Sequence, residues 1–142
     1  MKSQTKMSVD NLLGLAKLKR TGPRKMILEA LLRVRRPQTV DEIVTETKSN
    51  VNKVTVYRTL ESLIRTKLVH KALVHKRAEY FELADRCTEA QCHPHFTCTS
   101  CGSMHCLTEM SLPMAKSPYK GFIIGHQRTQ LEGICPKCST NL

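Results

Sequence analysis

The chain has no tryptophan, and Phe, Tyr and Trp together make up 4% of its 142 residues. That scarcity argues against the stacking platforms on which single-stranded nucleic acids are held. No apolar run approaches the roughly 18 residues a spanning helix needs, and the opening MKSQTKMSVDNLL carries no secretory hydrophobic stretch. The expectation is a cytoplasmic protein with no membrane partner. Also absent are HExxH, a phosphate-binding P-loop, GxSxG, and an H-x-E paired with P-C-x-x-C. A catalytic zinc needs an open position and a placed general base, and neither is evident. An enzyme with a small organic substrate is therefore disfavoured.

Acidic residues are scarce on one side of the chain only. Residues 1–84 hold 18 Lys/Arg against 8 Asp/Glu, a net of +10, whereas residues 85–142 hold 5 against 4, a net of +1. A basic half joined to a near-neutral, cysteine-rich half suggests a polyanion-binding unit attached to something else, and with so few aromatics duplex DNA is the better partner.

Seven cysteines are an odd number for a disulfide framework and read as metal ligands or thiols. Cys98-x-x-Cys101 and Cys135-x-x-Cys138 are two knuckles 33 residues apart, with Gly102 after the first and Pro136 inside the second. Two such turns supply four thiolates at about 2.3 Å to a tetrahedral, closed zinc. A structural zinc stapling a small folded unit is expected, with a redox CxxC as the alternative.

The first half is helical by pattern. Val9–Leu18 is a short amphipathic run ending in Lys19-Arg20. Thr21-Gly22-Pro23 opens a second helix carrying Met26, Ile27, Ala30, Leu31 and Val34 at helical spacing. Thr39-x-x-Glu42 is a capping-box pattern for a third, with Val40, Ile43, Val44 and Thr47 inward. Asn52 begins a fourth, running to about Thr66. In it Val56, Leu60, Leu63 and Ile64 face a core, while Thr55, Arg58, Thr59 and Ser62 lie opposite with Tyr57 at the border. Small hydroxyls around one Arg suit a helix in a major groove. The candidate DNA-contacting residues are Lys19, Arg20, Asn52, Thr55, Tyr57, Arg58, Lys76 and Arg77. The last two sit at the tip of a predicted hairpin, 68–74 and 78–83, whose cationic turn would touch phosphate. Beyond a polar linker, 85–92, strands are predicted over 96–107 and 122–133, with a short helix over 109–115. The division is thus 1–84, 85–92 and 93–142.

A second set of metal donors surrounds the linker. His93 and His95 alternate in an extended segment, so their side chains point the same way. With Cys87 and His70 they make a mixed nitrogen–sulfur set, which favours zinc over iron or manganese. Glu82, Cys106, Cys92 and His126 are reserve candidates. Ligands on both sides of a linker would make metal occupancy a statement about domain orientation, the signature of a sensor. Oxidation of such a thiolate would expel the metal, which keeps a thiol redox switch among the alternatives.

These residues resemble the ferric uptake regulator (Fur) superfamily over nearly the whole chain. The resemblance is carried by Thr21-Gly22-Pro23-Arg24, by Val54-Thr55-Val56-Tyr57-Arg58-Thr59-Leu60, and by Phe81-Glu82-Leu83. It continues in His93-Pro94-His95-Phe96-Thr97-Cys98-Thr99-Ser100-Cys101-Gly102 and Gly133-Ile134-Cys135-Pro136-Lys137-Cys138. It implies an α+β chain: an N-terminal winged helix-turn-helix and a C-terminal α/β dimerisation domain stapled by the four-cysteine zinc. It further implies a homodimer that binds palindromic operators when its corepressor metal is loaded. By the same resemblance Tyr57 and Arg58 contact bases, and the Lys19-Arg20 region reaches the backbone or minor groove.

The spacing Cys87-x5-His93-x-His95 is similar to that of the zinc-sensing (Zur) branch, where His70 stands at the wing ligand's place. Iron-sensing relatives pair the two histidines with a wing Glu, here Glu82, and an N-terminal His; Pro37-Gln38 stands near that His position. Cys106 falls where relatives can supply a Glu ligand. A further family site would map to Cys92, Pro94, Glu109 and His126; proline has no side-chain donor, so the resemblance implies that this site is lost or rebuilt. Zinc as regulatory corepressor, with iron as the alternative, is the resulting expectation.

Overall fold

A computed structural model describes residues 8–85 and 91–141. Helix α1 is Val9–Leu15, started by Ser8, whose hydroxyl accepts the Asn11 amide at 3.2 Å. It stops three residues short of the predicted Leu18, because Lys17 turns left-handed (φ 54°). Helix α2, Gly22–Arg33, begins at Thr21 with Pro23 in its first turn. The Thr39–Glu42 capping box is formed in both directions and starts α3, Val40–Glu46. Asn52 caps α4, Lys53–Arg65, accepting the Thr55 amide at 2.8 Å.

These helices close on one apolar core: Leu13 of α1, Ile27, Leu28 and Leu31 of α2, Ile43 of α3, and Val56, Leu60 and Leu63 of α4. Thr59, expected on the outer face of α4, is buried at 8% exposure. A position three after Val56 and one before Leu60 falls inside the apolar arc, which is wider than the heptad seam the sequence suggests.

Strands β1 (Val69–His75) and β2 (Ala78–Leu83) form the antiparallel hairpin, with His70 opposite Glu82 and a bulge between Lys71 and Leu73. Its two-residue turn is Lys76–Arg77, both left-handed (φ 48° and 66°), the twist that suits a tight hairpin. Gln38 fastens this wing to the helices by paired backbone bonds with Phe81 at 2.9 and 2.7 Å.

The second sheet has the order β4-β3-β5, from β3 (His95–Cys98), β4 (Met104–Cys106) and β5 (Gln130–Gly133). Helix α5 is the single turn Pro136–Ser139. The strand predicted over 96–107 is thus two antiparallel strands, because the first knuckle is itself the turn: Gly102 (φ 76°) returns its amide to the Cys98 carbonyl at 2.9 Å. Of 122–133 only the last four residues are extended, and they run parallel to β3. The predicted helix over 109–115 does not form. Pro113 has no amide to donate, and the segment is held instead by Gln127, which accepts the Ala115 amide and donates to the Pro113 carbonyl.

The winged-helix unit plus a small mixed domain make the α+β architecture. The two halves differ in what they bury. Around β3 the inward residues are Cys92, His93, His95, Thr97, Cys98 and Cys135, with no large aliphatic side chain among them. A unit that small, with that core, needs a staple other than hydrophobic burial. No helix among the described residues is long and apolar enough to cross a membrane.

Candidate metal centre and nucleic-acid interface

The four knuckle cysteines converge: one donor from each of Cys98, Cys101, Cys135 and Cys138 lies within 4.8 Å of every other. Cys101 and Cys135 sulfurs are 3.9 Å apart. Thiolates at about 2.3 Å from a tetrahedral zinc sit roughly 3.8 Å from one another, so the spacing fits that ion. The parallel pairing of β3 with β5 produces it, placing Cys98 opposite Gly133, two residues before Cys135. A side chain at Gly133 would meet the Phe96 ring at 3.4 Å, an ordinary van der Waals contact, so Phe96 packs over the end of β5.

The sulfurs are already differentiated. Backbone N–H groups of Cys101 and Cys135 lower the Cys98 thiol to about 6. The Ser103 hydroxyl and amide lower Cys101. Ser100 pulls Cys138 down, but the neighbouring thiols Cys135 and Cys101 outweigh it and leave Cys138 at about 11. Part of the cluster is thus poised as thiolate, the form that binds metal. Ser100 and Ser103 are not singled out by the sequence; their signal is a hydroxyl immediately flanking each side of the Cys101-Gly102 turn.

The second cluster centres on Glu82. Its Oε1 receives the Nε2 atoms of His70 (2.8 Å), His93 (3.1 Å) and His95, while the Cys106 thiol donates to Oε2 at 3.2 Å. Burial pushes the Glu82 carboxyl up, but the hydrogen bonds from His70, His93 and His95 outweigh it and hold the group far below the usual carboxylate range. Cross-strand register explains the convergence: His70 opposes Glu82 in the wing, and His95 opposes Cys106 in the second sheet. A cavity of about 10 Å³ beside them, lined by Arg35, Arg36, Glu82, Asp85, His93 and Cys106, has room for about one water.

Two overlapping donor sets share Glu82 and His95: His70, Glu82, Cys92, His95 and Glu82, His93, His95, Cys106. They differ in readiness. Cys92 is disulfide-bonded here and offers no thiolate, whereas Cys106 keeps its thiol. Glu82 and Cys106, held in reserve from sequence, stand in these sets, and Cys92 keeps its place among the candidates, its sulfur 3.6 Å from His70 Nε2 although it is disulfide-bonded here. Cys87 lies outside the described residues. His126 belongs to none of the donor groups found among the described residues. Gln38, near the place of an iron-branch histidine, turns its amide away to the α2 carbonyls of Ala30 and Val34.

On the opposite end, α4 presents Asn52, Tyr57 and Arg58 exposed and Thr55 half-buried, and Lys76 and Arg77 are exposed at the wing tip. Asn52 spends its side chain on the cap. Val54 is 59% exposed on the same face, an apolar contact that sequence reading misses because valine argues for the core. Lys19 and Arg20 are exposed between α1 and α2.

Residues 16–121 match the model of the ferric uptake regulator family. The chain belongs to that family. It is therefore a metal-binding transcriptional regulator of the Fur type and not an enzyme. Solved structures agree in fold. The Vibrio cholerae ferric uptake regulator superposes with a TM-score of 0.64 at 21% identity, over 89% of this chain and 98% of that one. The Pseudomonas aeruginosa ferric uptake regulator with manganese gives 0.61 at 24%, over 92% and 99%. A zinc uptake regulator complexed with zinc and DNA gives 0.60 at 20%, over 96% and 98%. No curated protein matches the chain. The family match includes the first knuckle and ends before the second, so the approach of Cys135 and Cys138 to it is an observation on this chain's own geometry.

Proposed function

We propose that this protein is a zinc-responsive repressor that binds palindromic operator DNA as a homodimer when its sensor site is filled, controlling metal-uptake genes. The observation that carries the reading is the joint donor set of Glu82 from the wing with His93, His95 and Cys106 from the second domain. Two imidazoles, a carboxylate and a thiolate fit zinc, and the sulfur weighs against iron or manganese. Cys98, Cys101, Cys135 and Cys138 would hold a second, structural zinc. His70, opposite Glu82 in the wing, would adjust or complete the sensor set.

Filling that site ties the wing hairpin to the β3–β4 ladder and so sets the angle of α4 and of the Lys76–Arg77 tip. Moving such an equilibrium from 1:99 to 99:1 takes about 5.5 kcal/mol of differential affinity, and zinc sites supply on the order of 10 kcal/mol. The second copy would cover the apolar stretch that includes Met110, Met114, Phe122 and Ile123, exposed by 40–87%. A structural relative solved with zinc and DNA supports the same reading.

The test is selection of duplexes from a random pool at buffered zinc, followed by anisotropy titration of the selected site with zinc, iron(II) and manganese(II) in parallel. Zinc-dependent binding to a twofold-symmetric site is expected. Tighter binding with iron(II) at matched free-metal concentrations would move the chain to the iron-sensing alternative, and equal binding by the metal-free protein would end the sensor reading.

A further inference from the structure

Cys101 is the exposed member of the four-cysteine cluster, and it heads a chain of contacts that the metal site itself does not require. Its sulfur lies 3.0 Å from the Ser103 hydroxyl, and that hydroxyl lies 2.9 Å from His105 Nε2. His105 opposes Phe96 across the β3–β4 ladder, with the two rings 6.2 Å apart. Ser103 and His105 flank Met104 on one side of the chain entering β4, and Cys101 reaches Ser103 from the knuckle turn, while Cys106 points to the opposite face and the Glu82 cluster.

A thiolate on a metal can only accept hydrogen bonds. Ser103 must then donate its O–H to Cys101, and its oxygen must accept from His105, which fixes the imidazole with its proton on Nε2. The direction of the whole chain follows from the charge at its end. Cys98 is differently served: the Cys135 amide donates to its sulfur at 3.4 Å from within the buried side of the cluster. The outward-facing Cys101 sulfur meets the Ser103 amide as well, and the hydroxyl–imidazole pair adds a second, side-chain hydroxyl donor that Cys98 lacks among the described residues.

We propose that Ser103 and His105 are positioning residues of the four-thiolate metal site, and that they hold the solvent-facing Cys101 thiolate on the ion. His105 acts through Ser103, by orienting its hydroxyl. This rests on the reading that the four cysteines bind zinc. Outer partners of this kind change metal affinity by about 10–100-fold when removed.

The experiment loads the full chain with zinc, titrates it with a chelator, and follows alkylation of Cys98, Cys101, Cys135 and Cys138 one by one by peptide mass spectrometry. Ser103→Ala should surrender zinc at a chelator concentration about tenfold lower than wild type. His105→Ala should shift it part of the way, and His105→Gln, which keeps an N–H donor, should restore retention. Because one residue works through the other, Ser103→Ala/His105→Ala should behave as Ser103→Ala alone. Ser103→Thr, which keeps the hydroxyl, should match wild type and controls for packing. Wild-type retention in Ser103→Ala, or an undiminished effect of His105→Ala in that background, would overturn the proposal. Should all four wild-type cysteines alkylate equally fast with and without zinc, the underlying metal site is absent, and that failure is recognisable without any variant.

Discussion

His95 and Cys98 are the first and last residues of the same four-residue strand, β3. At about 3.3 Å per residue their Cα atoms are roughly 10 Å apart, with His95 in the cluster around Glu82 and Cys98 among the four thiols. One rod of backbone therefore carries both candidate metal sites. A strand this short has few hydrogen bonds of its own, so whatever fixes its Cys98 end also fixes the direction in which His95 points.

That dependence is one-way and testable. Cys98→Ser should release metal from the four-cysteine site and unfold the β3–β4–β5 unit, because the buried residues there are Cys, His and Thr and supply little hydrophobic stabilisation. Loss of the second-domain amide signals in NMR spectra, with the helical signals of α1–α4 retained, is the expected result. Chelation of the wild type should reproduce it.

His95→Ala should act in the opposite pattern. The four-thiolate site and the fold should persist, while affinity for the second metal drops by more than about tenfold, since removing a direct ligand costs at least what an outer partner does. Metal counted per chain by mass spectrometry should fall from two to one. A retained second equivalent would remove His95 from the ligand set.

Much of this was legible in the sequence, and the reason differs by element. The capping box Thr39–Glu42, the Asn52 cap and the heptad-like spacing of Val56, Leu60 and Leu63 are local signals, read over three or four residues, and α2, α3, α4 and the wing lie where those signals put them. The convergence of the four knuckle cysteines was legible because two identical short motifs admit few other uses. Glu82 and Cys106 were harder to rank. Their roles depend on register between strands, His70 against Glu82 and His95 against Cys106, which no local pattern encodes. The short, Pro-interrupted helix expected over 109–115 did not form, because Pro113 breaks it and the side chain of Gln127 holds an irregular path instead, a contact from a distant residue that no local pattern shows.

Gln38 separates a structural role from a ligand role. Its amide donates to the Ala30 and Val34 carbonyls at 3.4 Å, at 0% exposure, where α2 ends. Gln38→Ala should lower the unfolding free energy by about 1–3 kcal/mol, from the Val34 carbonyl losing this donor and the volume lost, the Ala30 carbonyl still accepting the Val34 amide. Zinc-dependent operator binding, measured below the melting temperature, should be unchanged. A selective loss of metal affinity would instead make Gln38 part of the sensor.

Arg58 and Lys76 should fail differently on DNA. Arg58→Ala removes a side chain from the exposed face of α4 and should cost about 1–3 kcal/mol, with relaxed preference at one operator position. Lys76→Ala, at the wing tip, should weaken binding to all sequences alike and reduce the slope of log K against log salt by about 0.9. A uniform loss for Arg58→Ala would assign it to phosphate.

Acid should act on the metal-free protein through Glu82. Its carboxyl is buried, which alone would raise it, yet hydrogen bonds from His70, His93 and His95 hold it well below its ordinary 4.5. A carboxyl that is more acidic when folded contributes stability that is fully present above its unfolded value and is lost as pH falls through the folded one. Urea unfolding of the metal-free chain should therefore show stability declining as pH drops below about 4.5. Glu82→Gln cannot ionise, so its deficit relative to wild type should be largest near neutrality and shrink steadily into acid. A deficit that stays constant from pH 7 to strong acid would mean that the three imidazoles do not stabilise the carboxylate, and that their convergence on it has no electrostatic consequence.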